Sequence, residues 1–104
     1  MKLLPGPFQF DWDRGNINKN TAKHKIKNEE AEEIFVNQPA VLLADKEHSQ
    51  TGSRLMILGK TDQSRLLSVI FTKRGEKIRI VSARPMSRKE RRLYEKKTQK
   101  HTAF

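Results

Sequence analysis

Between residues 40 and 83 the chain carries four short apolar runs, Ala40 to Ala44, Arg54 to Lys60, Arg65 to Thr72 and Lys77 to Ala83, parted by polar segments. Runs of this length, rich in Leu, Ile, Val and Phe and closed by turn-forming residues, suit strands better than helices. Their close succession leaves little room for crossovers, so they read as consecutive antiparallel strands. The tightest link is Lys73-Arg74-Gly75-Glu76, where Gly75 can adopt the positive φ that a hairpin turn needs. Upstream, Phe8, Phe10 and Trp12 alternate with Gln9 and Asp11, the period of a half-buried strand, which brings the sheet to about five strands.

Three helices are expected around this sheet. The first runs from an N-cap at Asp13 to about Lys25, across a polar stretch in which Asn16, Asn18 and Asn20 lower helix propensity. The second starts at Asn28 as cap and ends near Asn37. Glu29, Glu30, Glu32 and Glu33 load its first turns next to the positive end of the helix dipole, and Ala31, Ile34 and Phe35 form its apolar stripe. The third opens at the capping box Ser87-Arg88-Lys89-Glu90 and continues to about Lys97. The fold class is therefore α+β: a small antiparallel sheet with two N-terminal helices packed on one side and a basic C-terminal helix, leaving the other side open for a ligand. At 104 residues the chain fits one domain, spanning residues 1–104 with a core at about 8–96 and loosely ordered ends.

Charge narrows the function. Lys and Arg number seven against eight Asp and Glu up to residue 52, and fifteen against four beyond it, so the whole formal excess of +10 lies in the second half. Such asymmetry points to a polyanion, because each cation that meets a phosphate releases condensed counterions. The plainer alternative is a solvated basic face. There is no cysteine, which removes disulfides and leaves a zinc site only three histidines and the carboxylates, so neither metal nor cofactor is expected. No apolar run approaches the roughly 20 residues of a membrane span and no secretory signal is evident, so a cytoplasmic protein is expected. Glycine-rich phosphate loops, Ser-His-Asp order and His-x-x-x-His spacing are all missing from the sequence.

The candidate residues follow from where charge interrupts apolar pattern. Arg79 lies in the fourth run, Arg84 directly follows it and Arg54 opens the second; a guanidinium on a sheet face needs a carboxylate or a phosphate to compensate its desolvation. On the last helix Arg88 and Arg91 share a side with Glu95, and Tyr94 among arginines could stack on a base or simply anchor the helix. Lys23-His24 sits at the end of the first helix; His24 suits proton transfer near neutrality, or merely a favourable charge at the dipole's negative end. His48 and His101 carry no assigned role.

Taken together, Phe10-Asp11-Trp12-Asp13, Asn20 with Lys23-His24, Glu30-Ala31 before Ile34-Phe35, Arg54 with Ile57 and Gly59, Leu66-Leu67 with Phe71-Thr72, and Arg79 through Arg84 leading to Arg88, Glu90, Arg91 and Tyr94 form a recognisable set. The chain resembles the BrnT family of toxins over about residues 8 to 96, most specifically from Arg79 through Tyr94. The resemblance implies a RelE-like ribonuclease fold and a bacterial type II toxin whose RNA cleavage halts translation. It also implies a BrnA-like ribbon-helix-helix antitoxin, with DNA contacted only through that antitoxin. One departure stands out: where the family commonly has Lys-His-Gly, this chain has Lys23-His24-Lys25. The chemistry implied is metal-independent transfer of the scissile phosphate to the adjacent 2′-hydroxyl, which needs a base, an acid and cationic stabilisation. On that basis Arg54, Arg79 and Arg84 hold the phosphate, His24 or Glu90 takes the proton, and Lys23, Arg88, Arg91 and Tyr94 position the strand; Glu90 could instead serve only its capping box. The alternatives are a nucleic-acid-binding protein without catalysis, which the basic half would serve equally well, and an interaction module whose basic helix docks an acidic partner.

Overall fold

In the computed structural model the residues described are 8–17, 23–44 and 54–99. The elements run β1 (Gln9–Phe10), α1 (Asn28–Val36), β2 (Val41–Ala44), β3 (Arg54–Lys60), β4 (Leu66–Arg74), β5 (Lys77–Pro85) and α2 (Arg88–Thr98), and the strands form one sheet in the order β1-β5-β4-β3-β2. The meander β2 to β5 is antiparallel as the apolar runs require, and Gly75 turns between β4 and β5 with φ +60°.

Three expectations need correction. The sheet is mixed, not antiparallel: β1 pairs with β5 in parallel, Gln9 opposite Lys77 and Phe10 opposite Ile78. The physical reason is connectivity: the chain leaves β1 through a turn and α1 before the meander begins, and a parallel pair needs such an intervening element where a hairpin does not. Among the described residues one N-terminal helix, α1, is seen from end to end, not two; of the expected first helix Lys23 and His24 are helical, but its Asp13 end is not. Asp13, the expected helix cap, instead opens a single turn in which the Asn16 and Ile17 N–H groups donate to its carbonyl. Asn16 then spends its own amide on the carbonyls of Asp11 and Ile80, tying the turn to β5, which is how a short polar side chain diverts a chain from helix. Of the rest of that expected helix, residues 18–22 lie outside the described residues, and Lys25 leaves helical geometry at φ +56°. The expected disordered tail and the loop holding His48 likewise lie outside the described residues.

The third correction concerns the faces of the sheet. Side chains alternate along a strand, so Leu55, Ile57 and Gly59 of β3 point one way and Arg54, Met56 and Leu58 the other. On the first face, Ala31, Ile34 and Phe35 of α1 bury against Ile57, Leu67, Val69, Phe71, Ile78 and Ile80. The Phe35 ring meets Phe71 edge-on at 4.9 Å and Phe10 at 5.4 Å, a favoured aromatic geometry. Gly59 permits the close approach of α1, since a Cβ there would come within 2.8 Å of the Ile34 side chain. The second face is not left open in full. Leu58, Met86 and Tyr94 form a separate buried cluster with Val41, Leu43, Met56, Leu66 and Leu93, so α2 covers the β2–β3 half of it. Tyr94 is only 6% exposed and its hydroxyl donates to the Pro39 carbonyl at 2.7 Å. Among the described elements α2 lies on β2 and β3, and on the β4–β5 half of this face Thr72, Arg79 and Arg84 are half-buried and Ser68 is buried.

Candidate nucleic-acid interface

The register across β3, β4 and β5 places Arg54 beside Thr72 and Thr72 beside Arg79; two rows away, Leu58, Ser68 and Arg84 line up in the same manner. Residues directly opposite one another share a face, so all three arginines lie on the face opposite α1. For Arg79 and Arg84 this is not the arithmetic of a regular strand. They are five residues apart, and an odd spacing should send them to opposite faces. A β-bulge resolves the conflict: Ile70 pairs with Ser82 while Phe71 pairs with Ile80, leaving Val81 as the extra residue. Ile78 and Ile80 before the bulge and Ala83 after it all reach the α1 core, and the two arginines both face away from it. Bulges of this kind re-aim side chains beside functional sites. From Thr72 to Ser68 the two rows are about 13 Å apart, at ~3.3 Å per residue.

Each end of β5 holds its arginine with a carboxylate. Arg79 donates through both terminal nitrogens to Asp13, at 3.0 and 2.9 Å, and lies 3.7 Å from Asp11, which also pairs with Arg74 at 3.7 Å. Asp13 in turn accepts the Gly15 N–H at 2.8 Å. The Arg79 guanidinium beside it, followed by that N–H, holds the Asp13 carboxyl below its ordinary value. A Cβ on Gly15 would sit 2.9 Å from the Arg79 guanidinium, so the glycine makes room for the pair.

At the other end Arg84 donates to Glu90 through both terminal nitrogens, at 2.6 and 2.7 Å. Glu90 also accepts the Ser87 N–H at 2.9 Å while the Ser87 hydroxyl accepts the Glu90 N–H, so the expected capping box and the ion pair share one carboxylate. Arg84 holds that carboxyl below its ordinary value, and the pairing raises the Arg84 pKa further. Burial is reversed between the two pairs. The Arg79 side chain is 15% exposed and Asp13 55%, whereas Arg84 is 40% exposed and Glu90 15%.

The remaining candidates are distributed around this face. Arg88 and Arg91 are exposed on α2, with Lys89, Arg92, Lys96 and Lys97 also in solvent, while Tyr94 faces inward. The carbonyls of His24 and Lys25 accept from Arg65, at 3.3 and 3.1 Å, and Arg65 directly precedes β4. This sets His24, half-buried, and Lys23, exposed, at the Arg84 end of the sheet but toward the α1 side, where Arg65 also pairs with Glu30 at 3.3 Å. Lys25 holds the left-handed conformation that glycine adopts without strain. Sequence reasoning missed Asp13 as the partner of Arg79 and Gly15 as its spacer. The signal was an arginine in an apolar strand, which demands a carboxylate somewhere, with Asp11 and Asp13 just after the strand that becomes its neighbour. Among the described residues no group of three or more His, Asp or Glu side chains converges as a metal site would require, and no helix is long and apolar enough to cross a membrane.

A comparison with curated proteins gave no match. The family model of the BrnT ribonuclease toxins of type II toxin-antitoxin systems matches residues 12–90, which include the Asp13 turn, α1, the meander, both arginine pairs and the first turn of α2. Over that span, three quarters of its length, the chain belongs to the BrnT family of type II toxin-antitoxin ribonuclease toxins.

Proposed function

We propose that this chain is a metal-independent endoribonuclease acting in the cytoplasm, where it cuts RNA and halts translation until a BrnA-like ribbon-helix-helix antitoxin neutralises it. Family membership supports an RNA substrate and an antitoxin partner. The single observation that carries the reading to particular residues is the bulge in β5, which puts Arg79 and Arg84 on one face, the face that Arg54 also shares. The Arg84 side chain is more exposed than that of Arg79, and α2, which begins shortly after it, carries the exposed Arg88 and Arg91. There a phosphate would meet both an oriented fork and a positive surface.

In the reaction, a base takes the proton of the 2′-hydroxyl as its oxygen attacks phosphorus. The P–O5′ bond then breaks, the leaving oxygen receives a proton, and the upstream fragment keeps a 2′,3′-cyclic phosphate. Arg84 neutralises the charge that grows on the phosphorane oxygens, while Arg54 and Arg79, in the row about 13 Å away, support the face beyond the scissile phosphate. His24 lies at the same end of the sheet but toward the α1 side, so it moves the proton only where the RNA wraps that end of β4; Lys23, Arg88 and Arg91 guide the RNA backbone. DNA enters only through the antitoxin.

The test is induction of the chain in a bacterial host beside its Arg84→Ala form, following growth and total RNA. Arrest with RNA breakdown in the unmutated chain alone is expected, with cyclic-phosphate ends on the fragments. Normal growth and intact RNA in both, at confirmed soluble expression, would overturn the reading; RNA bound equally by both and cut by neither would replace it with a binding protein.

A further inference from the structure

Glu90 has the residue type of a general base, but its surroundings occupy it. One carboxylate oxygen accepts from Arg84 at 2.6 Å and from the Ser87 N–H at 2.9 Å, and the other accepts from Arg84 at 2.7 Å. A carboxylate offers about four acceptor sites, and three are filled by donors from its own chain. It is also the buried member of its pair, at 15% exposure against 40% for Arg84. The cation stands toward solvent and the anion behind it. Arg84 spends one nitrogen each on the two carboxylate oxygens, with a further contact to the Pro85 carbonyl at 3.3 Å, out of five N–H donors. Donors remain for a second, bidentate anion.

We infer that Glu90 is a positioning residue: it locks the Arg84 guanidinium as an oriented fork for the two non-bridging oxygens of a phosphodiester, and it does not itself take the proton. The inference rests on the ribonuclease reading for the identity of the phosphodiester, but the locking stands on geometry alone. It also ties the site to the last helix. Glu90 occupies the third position of α2, whose start is capped by Ser87 and whose body is anchored by Leu93 and by Tyr94 on Pro39. The pose of Arg84 is therefore set by how α2 seats on β2 and β3. With both oxygens drawn upon by a cation, Glu90 is also a poorer proton acceptor than an ordinary glutamate.

Two measurements decide it, both on the full chain. In the first, the guanidinium N–H signals of Arg84 are followed by NMR in the unmutated protein and in Glu90→Gln. Separate, slowly exchanging signals that collapse to an average in the variant are expected. An averaged Arg84 in the unmutated protein overturns the inference, whether or not the protein cuts RNA and whether or not the variant folds. In the second, cleavage of a short RNA is compared among the unmutated chain, Glu90→Gln, Arg84→Ala and the double variant. Glu90→Gln should lose ~10- to 100-fold in kcat/KM with the acidic limb of the pH profile in place, and should add less than about twofold once Arg84 is already alanine. Loss of the acidic limb, or an equal loss in the Arg84→Ala background, would make Glu90 the proton acceptor and overturn the inference. An unmutated chain that binds RNA without cutting it sinks the ribonuclease reading, and the NMR result then stands by itself.

Discussion

The two ends of β5 carry the same device turned inside out. At Arg79 the guanidinium is enclosed and the carboxylate of Asp13 looks outward; at Arg84 the carboxylate of Glu90 is enclosed and the guanidinium looks outward. Local charge follows the same division. Arg74 and Arg79 meet Asp11 and Asp13 in a balanced group of four, whereas Arg84 and Glu90 stand beside the exposed cations of α2. An arginine whose carboxylate shares its charge on the solvent side has little left for a phosphate; one whose carboxylate sits behind it has its outer donors free to use. The difference teaches that the Arg79 end serves to hold the Asp13 turn against β5, and the Arg84 end serves to present a cation. Arg79 then contributes to the face chiefly by structure.

Alanine substitution at each end separates the two roles most sharply. Arg84→Ala is expected to lower kcat/KM for RNA by ~100- to 1000-fold, the usual loss for a preorganised donor to a developing oxyanion, and to lower the urea midpoint as well, because the enclosed Glu90 loses its partner. Arg79→Ala should lower the urea midpoint too, because Asp13 and the turn lose their partner, but with a cleavage loss smaller by at least about tenfold. Equal losses of activity at equal stability would erase the comparison.

How far the sequence could have led to this picture depends on which link is asked about. The four apolar runs located β2 to β5 to within two residues, and the Ser-x-x-Glu pattern located the start of α2, because strand periodicity and capping are local and short-ranged. The parallel pairing of β1 was not legible, since nothing local tells a two-residue strand which edge to join. The grouping of Arg79 with Arg84 came from charge, while strict alternation would have parted them. The bulge at Val81 that reconciles the two is visible only when Ile80 and Ala83 are seen to reach one core. Tyr94 shows the converse: a tyrosine among arginines fits a base stack, yet here its ring belongs to the cluster with Leu58 and Met86 and its hydroxyl is engaged by Pro39. Amphipathic side chains are ambiguous until packing assigns them.

Acid sharpens the comparison at smaller amplitude. Both carboxyls are held below their ordinary values of 4.5 for Glu90 and 3.8 for Asp13, by Arg84 and Arg79 respectively. A depressed folded-state pKa contributes stability that is present above the unfolded value and is lost as pH falls through the folded one. The Glu90 contribution therefore begins to fade below 4.5 and the Asp13 contribution only below 3.8. Urea midpoints followed from about pH 7 to about pH 3 should fall less steeply in Glu90→Gln, starting at the higher threshold, and less steeply in Asp13→Asn only at the lower one. Parallel curves for all three proteins would mean that neither pair persists in solution.

The smallest effects test the backbone that supports each end, and they should have opposite signs. Gly15 lets the Arg79 guanidinium and Asp13 meet without a Cβ between them. Gly15→Ala forces the flexible end of Arg79 aside and should lower the urea midpoint while leaving cleavage within about threefold. Lys25 stands where a glycine would be relaxed: its φ of +56° costs a side-chain-bearing residue about 1 kcal/mol, and its carbonyl still accepts from Arg65. Lys25→Gly relieves that strain but widens the unfolded ensemble, so a net gain of a few tenths to about 1 kcal/mol is expected. Because His24 precedes it, the same variant asks whether the strain serves the reaction. A more stable protein with unchanged kcat means that the lysine is simply tolerated; a more stable protein with lower kcat means that the strained turn holds His24 in its working position.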